Sequence, residues 1–202
     1  MNGLAAFETN SVAQGYYLAD EVLKTAEVEL IEANAICAGK FLCIFTGSPA
    51  ALLSSLEGAR SCCEDSLFWR SMYLARAHED LLGALCGGVI LHGPWPLLGA
   101  LGVLESYSAL ASLSIADQIA KAYDVTLLDL RLGRGLGGKS TLLFSGEQAK
   151  VELALSELEQ QNSEEGHLSD LLVIARPDEV TYRAALPDGP GYRCRNCYSL
   201  GG

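Results

Sequence analysis

Residues 39–47, Gly-Lys-Phe-Leu-Cys-Ile-Phe-Thr-Gly, return as residues 138–146, Gly-Lys-Ser-Thr-Leu-Leu-Phe-Ser-Gly. Both runs begin with Gly-Lys, continue through an apolar stretch of strand length and end at a glycine, which is typical of a β-strand bounded by turns. A segment that recurs in this way indicates a duplicated structural unit. The second half of the chain is therefore expected to repeat the architecture of the first.

A helix is predicted ahead of each of these strands, and the two helices agree on both faces. Ser11 is expected to cap the first helix, and Ser108 opens the second. The polar pattern Asp20-x-x-x-Lys24 returns as Asp117-x-x-x-Lys121. Spacings of four and three residues predict equivalent apolar faces. These faces are Val12, Tyr16, Ala19, Leu23 and Ala26 in the first copy and Ala109, Leu113, Ala116, Ala120 and Tyr123 in the second.

Strands flank these helices in the same order in both copies. Residues 28–31 correspond to 125–128, and residues 67–74 correspond to 168–174, where each run is followed by Ala-Arg-x-x-Glu. A second helix follows each Gly-Lys strand and begins in the first copy at Ser48-Pro49, since proline suits the first helical turn. Each copy is thus predicted to read β-α-β-β-α-β with a short terminal helix.

The predicted fold class is α+β, with two tandem domains that are each a ferredoxin-like-related β-α-β-β-α-β sandwich. Antiparallel strand pairs, right-handed crossovers and helices on one face of the sheet are expected. Glycines and prolines between residues 86 and 96 mark the junction. The first domain is predicted over residues 1–92 and the second over residues 97–186, followed by a tail at 187–202.

The composition argues against several classes of function. The chain has 202 residues, half of them apolar, and a formal net charge of −11. Nucleic-acid binding rests on clustered Lys and Arg, and the sequence contains no such cluster. The sequence has no recognisable signal peptide or membrane-spanning run, so we expect a soluble, cytosolic protein whose seven cysteines are mostly reduced.

The two copies differ most in the loop that precedes the repeated strand. The first copy has residues 34–40, Asn-Ala-Ile-Cys-Ala-Gly-Lys, with Cys37 at the tip of a predicted tight turn. The second copy has a longer, glycine-rich segment at residues 133–138. From the residues alone, Cys37 is either a small side chain at a turn or one of several thiolates that converge on a symmetry axis.

These motifs resemble the bacterial microcompartment shell proteins in their tandem-domain form. The shared features, each present twice, are a first strand ending in Glu8, the Asp20-x-x-x-Lys24 helix, Gly39-Lys40 opening the third strand, and Arg76 after the fourth. The similarity covers Leu4 to Ala185, and the element order is that of the unpermuted type. It implies a structural protein rather than an enzyme, namely a homotrimer whose six domains form a pseudohexagonal tile in the shell.

Among tandem-domain members, the chain is most similar to a propanediol-utilisation type whose three subunits together hold a [4Fe-4S] cluster at the central pore. This similarity implies that Cys37 is the cofactor and metal ligand, with one cluster per trimer that serves electron transfer or cluster transport across the shell. Ala38 stands where that type has proline. The implied pore loops contain Ile36, Ala38, Gly39, Gly135, Leu136 and Gly137. The alternative is a shell trimer with a cluster-free pore that passes small metabolites.

The same resemblance implies the neighbours of the tile. Lys24, Lys121, Arg76 and Arg176 correspond to residues at the tile edge. Other microcompartment shell proteins are the expected partners at these edges, and a luminal or cytosolic redox enzyme is a further candidate partner. Neither nucleic acid nor membrane is expected as a partner, and the implied location is the microcompartment shell in the cytoplasm.

Other motifs compete with this interpretation. Residues 133–140 fit the spacing of a phosphate-binding loop, but Lys139 is expected to begin a strand, whereas such a loop opens a helix. Cys194-Arg195-Asn196-Cys197 has the spacing of a zinc half-site or a redox pair, yet the sequence offers no second pair to complete four ligands. The three histidines show no metal-ligand spacing with one another.

Overall fold

The structure is a computed structural model that describes residues 3–64, 66–86, 99–162 and 167–185. The predicted junction between the repeats lies largely outside these ranges. The predicted domain limits at residues 92, 97 and 186 lie outside them as well, so the domain bounds stay a prediction. The predicted tail at 187–202, which includes Cys194 and Cys197, is also outside the described residues.

The described residues form two series of elements in the same order. The first series is β1 (Gly3–Thr9), α1 (Val12–Thr25), β2 (Val28–Ile36), β3 (Lys40–Gly47), α2 (Pro49–Ser61), β4 (Phe68–Leu74) and α3 (Glu79–Leu85). The second is β5 (Ala100–Ser106), α4 (Ala109–Ala122), β6 (Val125–Arg131), β7 (Ser140–Gly146), α5 (Gln148–Asn162), β8 (Leu168–Ile174) and α6 (Glu179–Ala184). The predicted β-α-β-β-α-β order with a short terminal helix is confirmed in both copies.

Each repeat builds one four-stranded sheet, and the two sheets have equivalent strand orders, β2-β3-β1-β4 and β6-β7-β5-β8. The pairs β1–β3, β1–β4 and β2–β3 are antiparallel, as are β5–β8 and β6–β7. The strand after the first helix carries a register shift in both copies, between Leu30 and Glu32 and between Leu127 and Asp129. The α+β fold class and the duplication are therefore confirmed.

The helices of the first repeat pack against one another and against its sheet. Helices α1 and α2 contact each other, and both contact β1, β2 and β3. Large side chains of this core, including Phe7, Phe41 and Phe45, are completely buried. In the second repeat, Tyr182 of α6 is buried in a cluster with Leu101 and Leu128. Burial of these apolar side chains supplies the main driving force for each layer.

The predicted helix starts are also confirmed. The Ser11 hydroxyl accepts a hydrogen bond from the Gln14 backbone N–H (3.3 Å), which satisfies one of the free donors at the start of α1. The Ser48 hydroxyl does the same for Ala51 (3.3 Å) at the start of α2, where Pro49 is the first helical residue.

The predicted apolar face of α1 is wrong in part. Tyr16 and Leu23 are 56% and 47% exposed. Ala19 is buried as predicted, and the other buried residues of the helix are Gly15, Leu18 and Val22. Gly15 explains the difference, because a Cβ built there would lie 2.2 Å from Cγ of Phe41, so this glycine lets the helix approach the sheet closely. The equivalent residues of α4 behave as predicted, since Ala109, Leu113, Ala116 and Ala120 are all buried.

The chain divides into two compact units that do not follow the repeats strictly. The first contains Met1–Ala77 together with two segments of the second repeat, Ser108–Ser114 and Leu132–Ser140. The second contains the remaining residues, including α3 of the first repeat. Each unit is thus completed by residues of the other repeat.

Among the helices of the described ranges, none combines the length and apolar character needed to cross a membrane.

We predict that Leu52→Ala lowers the free energy of unfolding by about 2–5 kcal/mol, because it removes a fully buried side chain and leaves a cavity. Leu53→Ala is the matched control, since Leu53 lies on the same helix and is 45% exposed. It should change the same quantity by less than about 1 kcal/mol. Chemical denaturation at one fixed protein concentration measures both, and equal losses in the two variants would contradict the described packing of α2.

Candidate functional site

Cys37 lies in a three-residue turn that joins two paired strands. Ile36 at the end of β2 pairs with Lys40 at the start of β3, so only residues 37–39 form the connection. Ala38 and Gly39 have φ values of 65° and 75°. Left-handed backbone of this kind is the usual geometry of a short hairpin loop, but it is uncommon for alanine. The turn presents Cys37 at the end of the hairpin, where its side chain is half-buried.

The glycine-rich loop of the second repeat lies directly on this turn, inside the first compact unit. The Cys37 backbone N–H donates to the Gly133 carbonyl (2.8 Å), and the Gly135 N–H donates to Cys37 Sγ (3.1 Å). Left-handed φ values of 63–89° recur along the loop, at Gly133, Gly135, Gly137 and Gly138. Successive backbone N–H groups in such a conformation form a concave surface that favours negative charge.

The electrostatic surroundings favour the thiolate form of Cys37. Its pKa is lowered chiefly by the backbone hydrogen bond from Gly135, with a further contribution from Gly138, while partial desolvation opposes the shift. Cys43 on the following strand is the opposite case, because burial raises its pKa far above the usual range. Since the thiolate is the form that binds metals, Cys37 is the better suited of the two as a ligand.

An ion pair fixes the glycine-rich loop to the strand that leads into the cysteine turn. Arg134 Nη2 donates to Glu32 Oε1 (2.8 Å), and the Glu32 side chain is only 15% exposed. Burial raises the pKa of Glu32, and the nearby Arg134 guanidinium opposes that shift. Sequence reasoning missed this pair. An arginine inside a run of glycines and a glutamate inside an apolar strand were the available signals.

The structure brings the predicted pore-loop residues of both repeats together. Ile36 is buried, and a Cβ built on Gly133 would lie 3.2 Å from it. Ala38 and Gly39 are exposed on the cysteine turn, as are Gly135 and Gly137 on the glycine-rich loop. Leu136 is half-buried, and its carbonyl accepts from the Lys139 N–H (3.1 Å). The two loops are therefore one site within the chain.

The predicted tile-edge residues lie at equivalent places in the two repeats. Lys24 and Lys121 occupy the last turns of α1 and α4, and they pair with Asp20 and Asp117, respectively. Arg76 and Arg176 are exposed in the bends after β4 and β8. The edge role of these four residues stays a prediction.

Residues 133–140 have the spacing of a phosphate-binding loop but lie in the wrong structural context for one. Lys139 lies immediately before Ser140, which begins strand β7. A phosphate-binding loop needs a helix at this point, because the helix amino terminus contributes backbone donors to the phosphates. The structure therefore argues against nucleotide binding by residues 133–140.

The donor set at Cys37 is small. Within the described residues, no group of three or more His, Cys, Asp and Glu side chains is placed to hold a metal ion. Among the described residues, one chain thus supplies a single thiol at this site. A cluster that needs several thiolates fits here only if other copies of the chain supply them.

The fold and this turn together define a class of protein. It is a tandem α+β protein in which a cysteine-bearing turn of the first repeat contacts the equivalent loop of the second. The model of the BMC domain family matches residues 4–77 and 100–177. The chain therefore belongs to this family of bacterial microcompartment shell proteins.

Individual relatives agree with this assignment. The chain is 31% identical over 180 residues to the bacterial microcompartment shell protein PduT of Citrobacter freundii. The matched region covers 89% of this chain and 95% of PduT. The crystal structure of a microcompartment protein from Desulfitobacterium hafniense superposes with a TM-score of 0.78 at 34% identity, over 89% of this chain and 97% of that one. A fused permuted hexameric shell protein shares the fold at 20% identity, with a TM-score of 0.54 over 80% of this chain and 84% of that one.

We predict opposite effects of two substitutions at Ala38. Ala38→Gly should raise the free energy of unfolding by up to about 1 kcal/mol, because glycine adopts the left-handed backbone without the steric cost that alanine has there. Ala38→Pro should lower it by about 1–3 kcal/mol, since proline fixes φ near −65°. Denaturation at matched protein concentration measures both. A proline variant as stable as the wild type would contradict the described turn.

Proposed function

We propose that the chain forms a head-to-tail homotrimer in the microcompartment shell. In this trimer three Cys37 side chains surround the central axis and hold one [4Fe-4S] cluster for electron transfer or cluster transport across the shell. The observation that carries this proposal is the hydrogen bond from the Gly135 N–H to Sγ of the half-buried Cys37 side chain (3.1 Å) on the hairpin turn. A structural cysteine has no need of a backbone donor aimed at its sulfur, whereas a coordinating thiolate is stabilised by one.

The chemistry of the site fits a shared cluster. Iron–sulfur cubanes are usually held by four thiolates, so three copies of Cys37 leave the fourth iron to another ligand. When bound, the cluster would supply one-electron transfer. This chain's own contribution is to hold the sulfur at the turn and to supply the backbone N–H that stabilises its negative charge. Without a cluster, three converging thiolates would repel one another, so the trimer would favour their protonated form.

Two contacts between the repeats within the chain support a head-to-tail ring. Glu8 Oε1 accepts from the Leu110 N–H (3.2 Å), so a first-repeat carboxylate meets the start of α4. The His78 N–H donates to Asp117 Oδ1 (2.8 Å), so the start of α3 meets the same helix further along. Both contacts join the first repeat to the second. The corresponding residues of the second repeat can make the same contacts with the first repeat of another copy.

Burial differs between the repeats in the way that such a ring requires. On α4, Leu110, Leu113 and Asp117 are at most 5% exposed. The corresponding residues of α1, which are Ala13, Tyr16 and Asp20, are all exposed. The terminal helices differ similarly, since Asp80 of α3 is buried while its counterpart Val180 of α6 is 75% exposed. Exposed apolar side chains at these positions are the expected mark of an interface with a second copy.

The copy number of three follows from the tandem-domain resemblance, because six near-equivalent repeats then close one ring. The family is structural, and a shell role agrees with the similarity to a relative named as a microcompartment shell protein.

We propose that Lys24, Lys121, Arg76 and Arg176 meet other shell proteins at the tile edge. We also propose that a redox enzyme on one side of the shell exchanges electrons with the cluster.

We predict that anaerobically purified protein, reconstituted with iron and sulfide, acquires visible absorbance and, after reduction, an electron paramagnetic resonance signal. Cys37→Ser should abolish both signals, because it removes the only thiol that each chain brings to the turn. Cys62→Ser is the matched control, since Cys62 is an exposed free cysteine elsewhere on the first repeat, and it should keep both signals. A wild-type protein that forms no cluster, or a Cys37→Ser variant that keeps one, would refute the cluster and leave a metabolite pore as the function.

We predict that Tyr16→Asp lowers the assembled mass from three chains towards one, because it buries a charge in the proposed interface. Tyr17→Asp is the matched control. Tyr17 is 48% exposed, and its α4 counterpart, Ser114, is exposed as well, so this position lies outside the contact. Light scattering after gel filtration measures the mass, and circular dichroism confirms that both variants stay folded. An unchanged mass for Tyr16→Asp would count against the ring.

A further inference from the structure

We propose that the Glu32–Arg134 ion pair positions the glycine-rich loop so that the loop's backbone N–H groups donate to the coordinating sulfur of Cys37. Each chain then provides the ligand from its first repeat and the hydrogen-bond donor from its second. This inference rests on the proposed cluster site and adds two positioning residues to it.

The place of Arg134 in the loop is the first argument. Arg134 lies between Gly133, whose carbonyl accepts from the Cys37 N–H, and Gly135, whose N–H donates to Cys37 Sγ. A contact that fixes Arg134 therefore fixes both hydrogen bonds at once. No other residue in the loop at 133–138 carries a charge, so this is the one side chain of the loop that can form an ion pair.

The composition of the loop is the second argument. Four of its six residues are glycines with left-handed φ values, and glycine loses more conformational freedom on ordering than any other residue. Such a loop needs an external contact to keep one conformation. Glu32 provides it from a strand of the first repeat, where its side chain is 15% exposed and Arg134 lies 2.8 Å away. The half-buried carboxylate also needs the cation, because an unpaired charge there would be poorly solvated.

The comparison between repeats is the third argument. Asp129 follows the register shift in β6 as Glu32 follows the one in β2. Asp129 pairs with Arg131 of its own strand (2.6 Å), whereas Glu32 pairs with the loop of the other repeat. Within the described residues, the acidic side chain after the register shift thus pairs with the glycine-rich loop in the first repeat, where the proposal needs it, and with its own strand in the second.

The chemical consequence concerns the reduction potential of the cluster. Reduction adds negative charge to the cluster, and hydrogen bonds to its sulfurs stabilise that charge. If the Glu32–Arg134 pair holds the donor in place, loss of either partner makes reduction harder. The potential then moves to a more negative value in both single variants.

The test compares the reduction potentials of Glu32→Ala and Arg134→Ala. A through-space effect of the lost charges would shift these potentials in a different pattern from the loss of positioning. Removal of the glutamate charge alone would make the potential more positive, and removal of the arginine charge alone would make it more negative. The proposal expects a negative shift in both variants, with partial recovery in Arg134→Lys. Lys150→Ala is the control, since it breaks a different exposed ion pair, with Asp124, and should leave the potential unchanged. Shifts of the reduction potential in opposite directions in the two variants would overturn the proposal.

A second measurement uses the cluster-free protein and so separates this inference from the proposed function. Hydrogen exchange of the Gly135 N–H should be about tenfold faster in Glu32→Ala and Arg134→Ala than in the wild type, while exchange in the β1–β3 core stays the same. Unchanged exchange at Gly135 would overturn the proposal even if a cluster forms. If the wild type binds no cluster but exchange at Gly135 accelerates in both variants, the cluster fails and the positioning role of the pair stands.

Discussion

The buried carboxylate of Glu8 is the contact that joins the first strand of the first repeat to the start of α4 within the first compact unit. It is 1% exposed and accepts from the Leu110 N–H at the start of α4, where the helix dipole favours negative charge. Burial raises its pKa, and the Leu110 hydrogen bond is the largest of the effects that oppose this shift, followed by the charge of Lys40. A carboxylate in this position joins the first strand of one repeat to the first helix of the next.

The turn that carries Cys37 lies in the same compact unit. In the first compact unit, the same repeat that contributes the start of α4 also contributes residues 132–140, which bring a glycine-rich loop onto Cys37. The duplication therefore has a chemical result, because one copy of the loop became a thiol-bearing turn and the other became its hydrogen-bond donor. Divergence of a repeated loop is possible here because the rest of each repeat, from Gly-Lys strand to terminal helix, keeps the same fold.

Sequence periodicity predicted the element order of both repeats, the helix caps at Ser11 and Ser48, and the place of Cys37 in a tight turn. It predicted the buried face of α1 wrongly in part, because a stripe of large apolar residues looks the same in the sequence whether it is buried or exposed. Tyr16 belongs to such a stripe, while Gly15, which has no side chain to signal it, faces the sheet. The Glu32–Arg134 pair could not be predicted either, since it joins two residues that are far apart in sequence and whose approach depends on how the repeats pack.

The central claim is that three chains share one cluster at Cys37, and native mass spectrometry of anaerobically purified protein tests it most directly. The account predicts one assembly with the mass of three chains and one [4Fe-4S] cluster, in which collisional release of a chain is accompanied by loss of the cluster. Assemblies that carry one cluster per chain, or a single chain that retains a cluster alone, would contradict it.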